Sequence, residues 1–127
     1  MVPDELRYTA EHEWVLATAE DTVRVGITDY AQTRLGDVVY VQLPAVGTSV
    51  TPGDPVGEVE STKSVSEVFA PVAGEVIARN DELEDHPELL NSDPYGAGWM
   101  IVIRLQEVSA MDSLMGAQEY STLTEEA

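Results

Sequence analysis

The chain has a single lysine, Lys63, set in Glu60-Ser61-Thr62-Lys63-Ser64 between two strand-like runs, and its other five basic residues are all arginines. A primary amine on a flexible stem can be acylated, whereas a guanidinium stays charged and unreactive, so one lysine means one unambiguous acceptor. An acidic, arginine-preferring composition that retained one lysine by chance explains the same count. Composition and spacing alone leave both readings open.

Other reactive side chains are sparse. There is no cysteine, which removes disulfides, thiolate metal sites and a cysteine nucleophile. His12 and His86, the two histidines, are too few for a histidine-rich metal site. The formal net charge of −18 repels nucleic-acid phosphates and anionic membrane surfaces, so neither is an expected partner, and proteins with basic docking faces are favoured. Most of these carboxylates need do no more than keep the surface solvated. No apolar run approaches the roughly 20 residues that span a bilayer, and patterned sequence begins almost at Met1, without a signal or transit pattern. A soluble, cytoplasmic protein is expected.

The lysine must be held by its surroundings. At 127 residues the chain is long enough for one core, so a single domain over 1–127 is expected. Trp14 to Ala17 and Thr22 to Ile27 read as a hairpin around Ala19-Glu20-Asp21. Thr28 or Asp29 can cap a short helix through Leu35, closed by Gly36. Further strands are expected at Val38 to Leu43, Val56 to Glu60, Val65 to Phe69, Glu75 to Arg79 and Trp99 to Leu105, with a lysine hairpin over 55–77. Glu82 to Leu90 reads as a short helical or turn segment interrupted by Pro87. A helical segment at 110–124, with a possible break at Gly116, is expected to dock on the sheet, and Met111 and Met115 at helical spacing are expected to pack. Short strands at this spacing argue for a mainly β fold, a sandwich or barrel, over a helical or βαβ one.

The run from Val56 to Val76, with Glu60 three residues before Lys63 and Pro71-Val72-Ala73-Gly74 some ten after it, resembles the biotinyl/lipoyl attachment fold. That resemblance implies a barrel-sandwich hybrid of two antiparallel sheets, with short helices and a C-terminal helix. Thr62 and Ser64 stand where biotin acceptors carry methionine, so lipoate is the better prosthetic group.

The rest of the chain is similar to the glycine cleavage H-protein family. Tyr8-Thr9-Ala10-Glu11-His12-Glu13-Trp14 resembles its amino-terminal signature, and Val25 to Gln32 with Leu35-Gly36-Asp37-Val38-Val39 resembles its next block. Leu43-Pro44 with Gly47, Glu60 to Lys63, Pro87 to Asn91, Asp93 to Gly96 and Gly98-Trp99-Met100 complete the pattern.

What the resemblance implies is a carrier, not an enzyme. Lipoate joined to Lys63 by an amide would accept an aminomethyl group from the pyridoxal-phosphate glycine decarboxylase (P protein). It would deliver that group to the tetrahydrofolate-dependent aminomethyltransferase (T protein), and dihydrolipoamide dehydrogenase (L protein) would reoxidise the dithiol. A lipoate-attaching ligase or transferase is a further implied partner, and the carrier is expected to be a monomer. A dithiol can exchange with protein thiols, and a cysteine-free chain offers none; chance absence accounts for this equally well.

By the same resemblance, Glu13, Ile27 and Glu67 match positions bordering the loaded arm, where carboxylates would favour a cationic aminomethyl group. Glu11 and Glu67 depart from the residues common at their positions, and Glu11 is assigned no contact. His12 is expected to orient the amino-terminal strand, and Trp14 and Trp99 to serve as core or cleft wall. Two alternatives stand beside the carrier reading. One is an H-like protein that relays lipoate to other lipoate-dependent enzymes; the other is an unmodified β-rich interaction module.

Overall fold

The computed structural model describes residues 2–126, so the expected single-domain span of 1–127 extends past it by one residue at each end. Two antiparallel sheets form the body. The strands are β1 (Arg7–Tyr8), β2 (Glu13–Ala17), β3 (Thr22–Ile27), β4 (Val38–Gln42), β5 (Ser49–Val50), β6 (Pro55–Ser61), β7 (Val65–Phe69), β8 (Gly74–Arg79) and β9 (Ile101–Leu105). Six of them run in the order β1-β2-β3-β9-β8-β5, and the other three in the order β4-β6-β7. Four short helices complete the chain: α1 (Asp29–Leu35), α2 (Glu82–Asp85), α3 (Leu89–Ser92) and α4 (Ala117–Glu126), with a 3-10 turn at Val108–Ser113 before the last. Among the described residues, no helix is long and apolar enough to cross a membrane.

Alternation along the strands builds the core. Val23, Val25 and Ile27 of β3 meet Val15 of β2, Val41 of β4, Val59 of β6, Val68 of β7, and Ile101 and Ile103 of β9 in one buried cluster. This valine-rich interior suits β-branched side chains standing on pleated surfaces. Burial of this cluster between the sheets is the main favourable term holding them together.

β2 is buried on both faces. Val15 faces the main core, while Trp14 turns to the opposite side and joins Leu6, Tyr8 and Tyr120 in a second cluster. Trp14 lies flat across its register partner Gly26, where a Cβ would sit 2.7 Å from the indole, and its Nε1 donates to Pro94 O at 2.8 Å. Trp14 is thus a core residue.

Most expected elements form within a residue or two of their expected bounds. Two do so differently. The 55–77 segment is divided between the sheets: β6 and β7 make the lysine hairpin, and β8 crosses to the larger sheet to pair with β5 and β9. The 110–124 segment is not one helix. Met115 forms an extended bridge with Tyr8, its N donating to Tyr8 O at 2.9 Å, and α4 starts only after Gly116. Met111 therefore packs on the main core and Met115 on the second cluster. β1 and β5, two residues each, have no periodicity of their own and exist through their partners.

Candidate functional site

Lys63 sits at the tip of the β6–β7 hairpin, exposed, on a turn held by Ser61. Ser61 N donates to Ser64 O at 2.8 Å, and Ser61 Oγ accepts from Lys63 N at 3.3 Å and Ser64 N at 3.1 Å. A serine hydroxyl taking two backbone donors in this way mimics a turn and fixes the loop without outside help. The turn is also tied to the start of β4, because Thr62 N donates to Asp37 O at 3.1 Å.

The lysine side chain rests over Gly36, the residue that ends α1. A Cβ there would stand 3.2 Å from Lys63 Cε and 3.8 Å from Nζ, and Gly36 has φ 80° and ψ −158°, a backbone conformation that side chains disfavour. Asn91 anchors this seat. Its Nδ2 donates to Gly36 O and to Gln32 Oε1, both at 2.9 Å, while its Oδ1 accepts from Val38 N at 2.9 Å. Neither Gly36 nor Asn91 is visible as a site residue from spacing alone, since their partners are distant in sequence.

A cleft of about 300 Å³ opens beside the turn. Its apolar wall comes from Ile27 at the end of β3, Ala31 and Leu35 on one face of α1, and Val59 of β6; Glu13, Glu67, His12, Arg34 and Glu11, the last assigned no contact from the sequence, are its charged and titratable residues, and Ser64 and Val65 join it to the lysine turn. The structure thus brings Glu13, Ile27 and Glu67 to one cleft. Ala31 and Leu35, four apart on α1, share one face of the helix, and their spacing alone does not say which surface they line.

The two acids differ sharply. Glu67 is exposed on the edge strand β7, whereas Glu13 is only 2% exposed. Glu13 Oε1 accepts from Thr9 Oγ1 at 2.6 Å and Oε2 from Phe69 N at 3.4 Å. Burial nonetheless pushes its pKa up to about 7, against the opposing effect of those bonds, and Glu11 adds a further upward push. No ion pair links Glu13 to a cation among the described residues. Arg34, at the cleft, is held against Tyr30, its Nη1 donating to the phenol oxygen at 3.0 Å.

His12 ends the turn before β2 with φ 72°, a left-handed conformation, and its ring lies between Tyr30 and Tyr120. It does orient the strand: His12 N donates to Thr9 O and His12 O accepts from Thr28 N, which fixes the entry of Glu13 into the interior. Its Nδ1 is 2.8 Å from Tyr120 Oη, which is 2.7 Å from Thr28 Oγ1. Thr28 Oγ1 accepts from Ala31 N as the cap of α1. One arrangement gives every proton in this chain an acceptor: Thr28 donates to Tyr120, and Tyr120 donates to His12 Nδ1, leaving a neutral imidazole. Burial lowers the His12 pKa in the same direction, with Glu11 opposing and Arg34 assisting.

An exposed amine on a rigid hairpin tip, beside a cleft with an apolar wall and a buried carboxyl, is the arrangement of a carrier domain that presents a covalently attached group. Comparison with known proteins agrees with that class. The family model described as glycine cleavage H-protein matches residues 6–127. A glycine cleavage system H protein of Mycobacterium bovis is 56% identical over 131 residues, covering 98% of each chain, and one from Mycobacterium avium is 57% identical over 129 residues at the same coverage. The crystal structure of a glycine cleavage system H protein from Mycobacterium marinum superposes with a TM-score of 0.89 at 43% identity, over 98% of this chain and 99% of that one. The chain belongs to the glycine cleavage H-protein family, the non-catalytic lipoyl carriers of the glycine cleavage system. Membership in that system implies the P, T and L proteins as partners.

Proposed function

We propose that Lys63 is the lipoyl-attachment residue of this carrier, and that Glu13, Ile27 and Glu67 border the cleft that shelters the attached arm's cargo. When bound, the lipoyl group supplies a dithiolane whose sulfur takes up the aminomethyl group and whose redox change carries the electrons. The residues present fit such a group. The Lys63 residue is exposed and its side chain is seated on bare backbone at Gly36, so an acylating enzyme can reach it from solvent. Ile27, Leu35 and Val59 offer an apolar wall to a hydrocarbon stem and limit water beside it.

The observation that carries the cleft assignment is the buried carboxyl of Glu13, which has no cationic partner among the described residues. Buried charges are ordinarily paired, and a protonated amine entering the cleft would complete the pair. Glu67, at the exposed edge, adds attraction without desolvation. Tyr120 helps by keeping His12 neutral, so that no imidazolium opposes an incoming ammonium. In this reading the chain works as a cytoplasmic monomer, is acylated once by a lipoate ligase or transferase, and then visits the P, T and L proteins in turn.

Intact-mass measurement tests the attachment. Protein produced with lipoate and a lipoate ligase should gain the mass of one lipoyl group, with peptide mapping placing it on Lys63. An unmodified chain, or modification elsewhere, would overturn the assignment.

A further inference from the structure

Strand β4 departs from in-and-out alternation. Val38 and Val41 face the core, but Val39 and Tyr40, adjacent in sequence, both face solvent, at 49% and 54% exposure. The cause is a register shift against β6 between Val38 and Tyr40. In a regular strand neighbouring side chains point to opposite faces, and a bulge is the device that re-aims one of them.

The cross-strand register gives this bulge a location. Tyr40 is opposite Glu60, and Glu60 is opposite Val65, which is itself 60% exposed. A row of tyrosine, glutamate and valine therefore crosses the whole three-stranded sheet next to the Lys63 turn, and Thr62 bonded to Asp37 O ties that turn to the start of β4. Exposed Glu58 lies on β6, and exposed Asp37 immediately precedes β4.

We propose that this row is the docking face for the enzyme that acylates Lys63, whose matching surface is an apolar groove for Val39 and Tyr40 with a rim of arginine or lysine. The inference rests on the assignment of Lys63 made above. Reach selects this enzyme among the possible visitors. Before modification the amine stands one lysine side chain from the turn, folded over Gly36, so whatever acylates it must cover the turn and its flanks. Later enzymes act at the end of a longer arm and need not. Charge fixes the chemistry of the rim, since Asp37, Glu58 and Glu60 favour a basic counterpart and a salt-sensitive encounter. In the reaction itself the neutral Nζ attacks the acyl carbon of lipoyl adenylate. A C–N bond forms, the bond to the AMP oxygen breaks with its electron pair leaving on AMP, and the amine proton passes to solvent.

The test uses the unmodified full-length protein, a lipoate ligase, lipoate and ATP, with acylation followed by intact mass. A Val39→Ser, Tyr40→Ser double variant should lose about tenfold or more in kcat/KM, mostly through KM, as truncating central apolar contacts does. Tyr40→Phe should stay within about twofold of wild type. Val65→Ser, at the far end of the row and away from the bulge, should lose several-fold and gives an independent reading should the double variant unfold. Once fully lipoylated by long incubation, Tyr40→Phe and the folded double variant, whose residues lie outside the cleft, should be reduced by dihydrolipoamide dehydrogenase and NADH within about twofold of wild type. Acylation of both Val65→Ser and the double variant at the wild-type rate overturns the proposal, as does an equal loss in the acylation and dehydrogenase assays. A wild type that the ligase leaves unmodified overturns the Lys63 assignment, and this inference with it.

Discussion

At the Lys63 turn, nearly every hydrogen bond that fixes the backbone joins residues within three positions of one another, Thr62 to Asp37 being the exception. In the cleft beside it, the carboxyl of Glu13 is held by Thr9 and by Phe69, fifty-six positions away, and the wall is shared among β3, α1 and β6. The turn is a local object on an exposed tip, and the cleft is a long-range assembly around a buried acid. Changes at the tip should therefore abolish chemistry while sparing the fold. Changes in the cleft should move stability, titration and chemistry together.

The sharpest test of that contrast is Lys63→Arg. Glycine–carbon dioxide exchange supported by the carrier should vanish, with the melting temperature unchanged, because an exposed side chain keeps its charge and loses only its acylatable amine. Residual exchange would break the contrast at its strongest point.

Glu13→Gln comes next, and it should act twice. A charge-assisted hydrogen bond is worth about 1.5–3 kcal/mol, so the carrier's aminomethyl cargo should be lost to water roughly tenfold faster or more, as read by intact mass, while lipoylation of Lys63 proceeds normally. Stability should shift as well. Burial holds the Glu13 pKa at about 7 in the folded chain against an ordinary 4.5, so between those values the folded protein binds a proton that the unfolded chain has released. The stability present below pH 4.5 is lost as pH rises through about 7, by up to about 3 kcal/mol. Urea titrations from pH 4 to 8 should show wild type weakening relative to the Gln variant, and parallel curves would refute the burial argument.

Tyr120→Phe tests the cleft from behind. It leaves the hydroxyl of fully buried Thr28 without its acceptor and His12 Nδ1 without its donor, which should cost about 1–2 kcal/mol and raise the His12 pKa in an NMR titration. An unmoved His12 would mean the imidazole is held neutral by burial alone. The smallest effect is expected at Glu67→Gln. An exposed edge-strand acid should change stability by less than about 0.5 kcal/mol, and cargo lifetime by a factor well below that at Glu13.

Legibility in the sequence followed the same division. The β2–β3 hairpin, the Thr28 cap with its Gly36 stop, the strands on either side of Lys63 and the turn itself were all readable, because caps, alternation and turn chemistry act over a few residues. Ile27, Glu13 and Glu67 could be named only through family resemblance, since nothing in their neighbourhoods sets them apart from other valines, isoleucines and glutamates. The helical segment expected at 110–124, with a break at Gly116, is interrupted just before that glycine for a reason outside the segment. Met111 to Ser113 stay in a 3-10 turn, but Leu114 and Met115 are extended for the backbone pairing of Met115 with Tyr8, a contact across more than a hundred residues.

The amino-acid sequence by itself determined one cysteine-free chain with a strong excess of acid, a mainly β pattern, and a lone amine on a hairpin tip, because each depends on composition or near neighbours. Only the tertiary structure decided that β8 leaves the lysine hairpin for the other sheet, that Lys63 lies over Gly36, and that a bulge turns Val39 and Tyr40 outward together. It alone made one glutamate among many into a buried acid titrating near neutrality. Desolvation belongs to a place in the packed interior, and that place is set by strands and a helix brought together from across the whole chain.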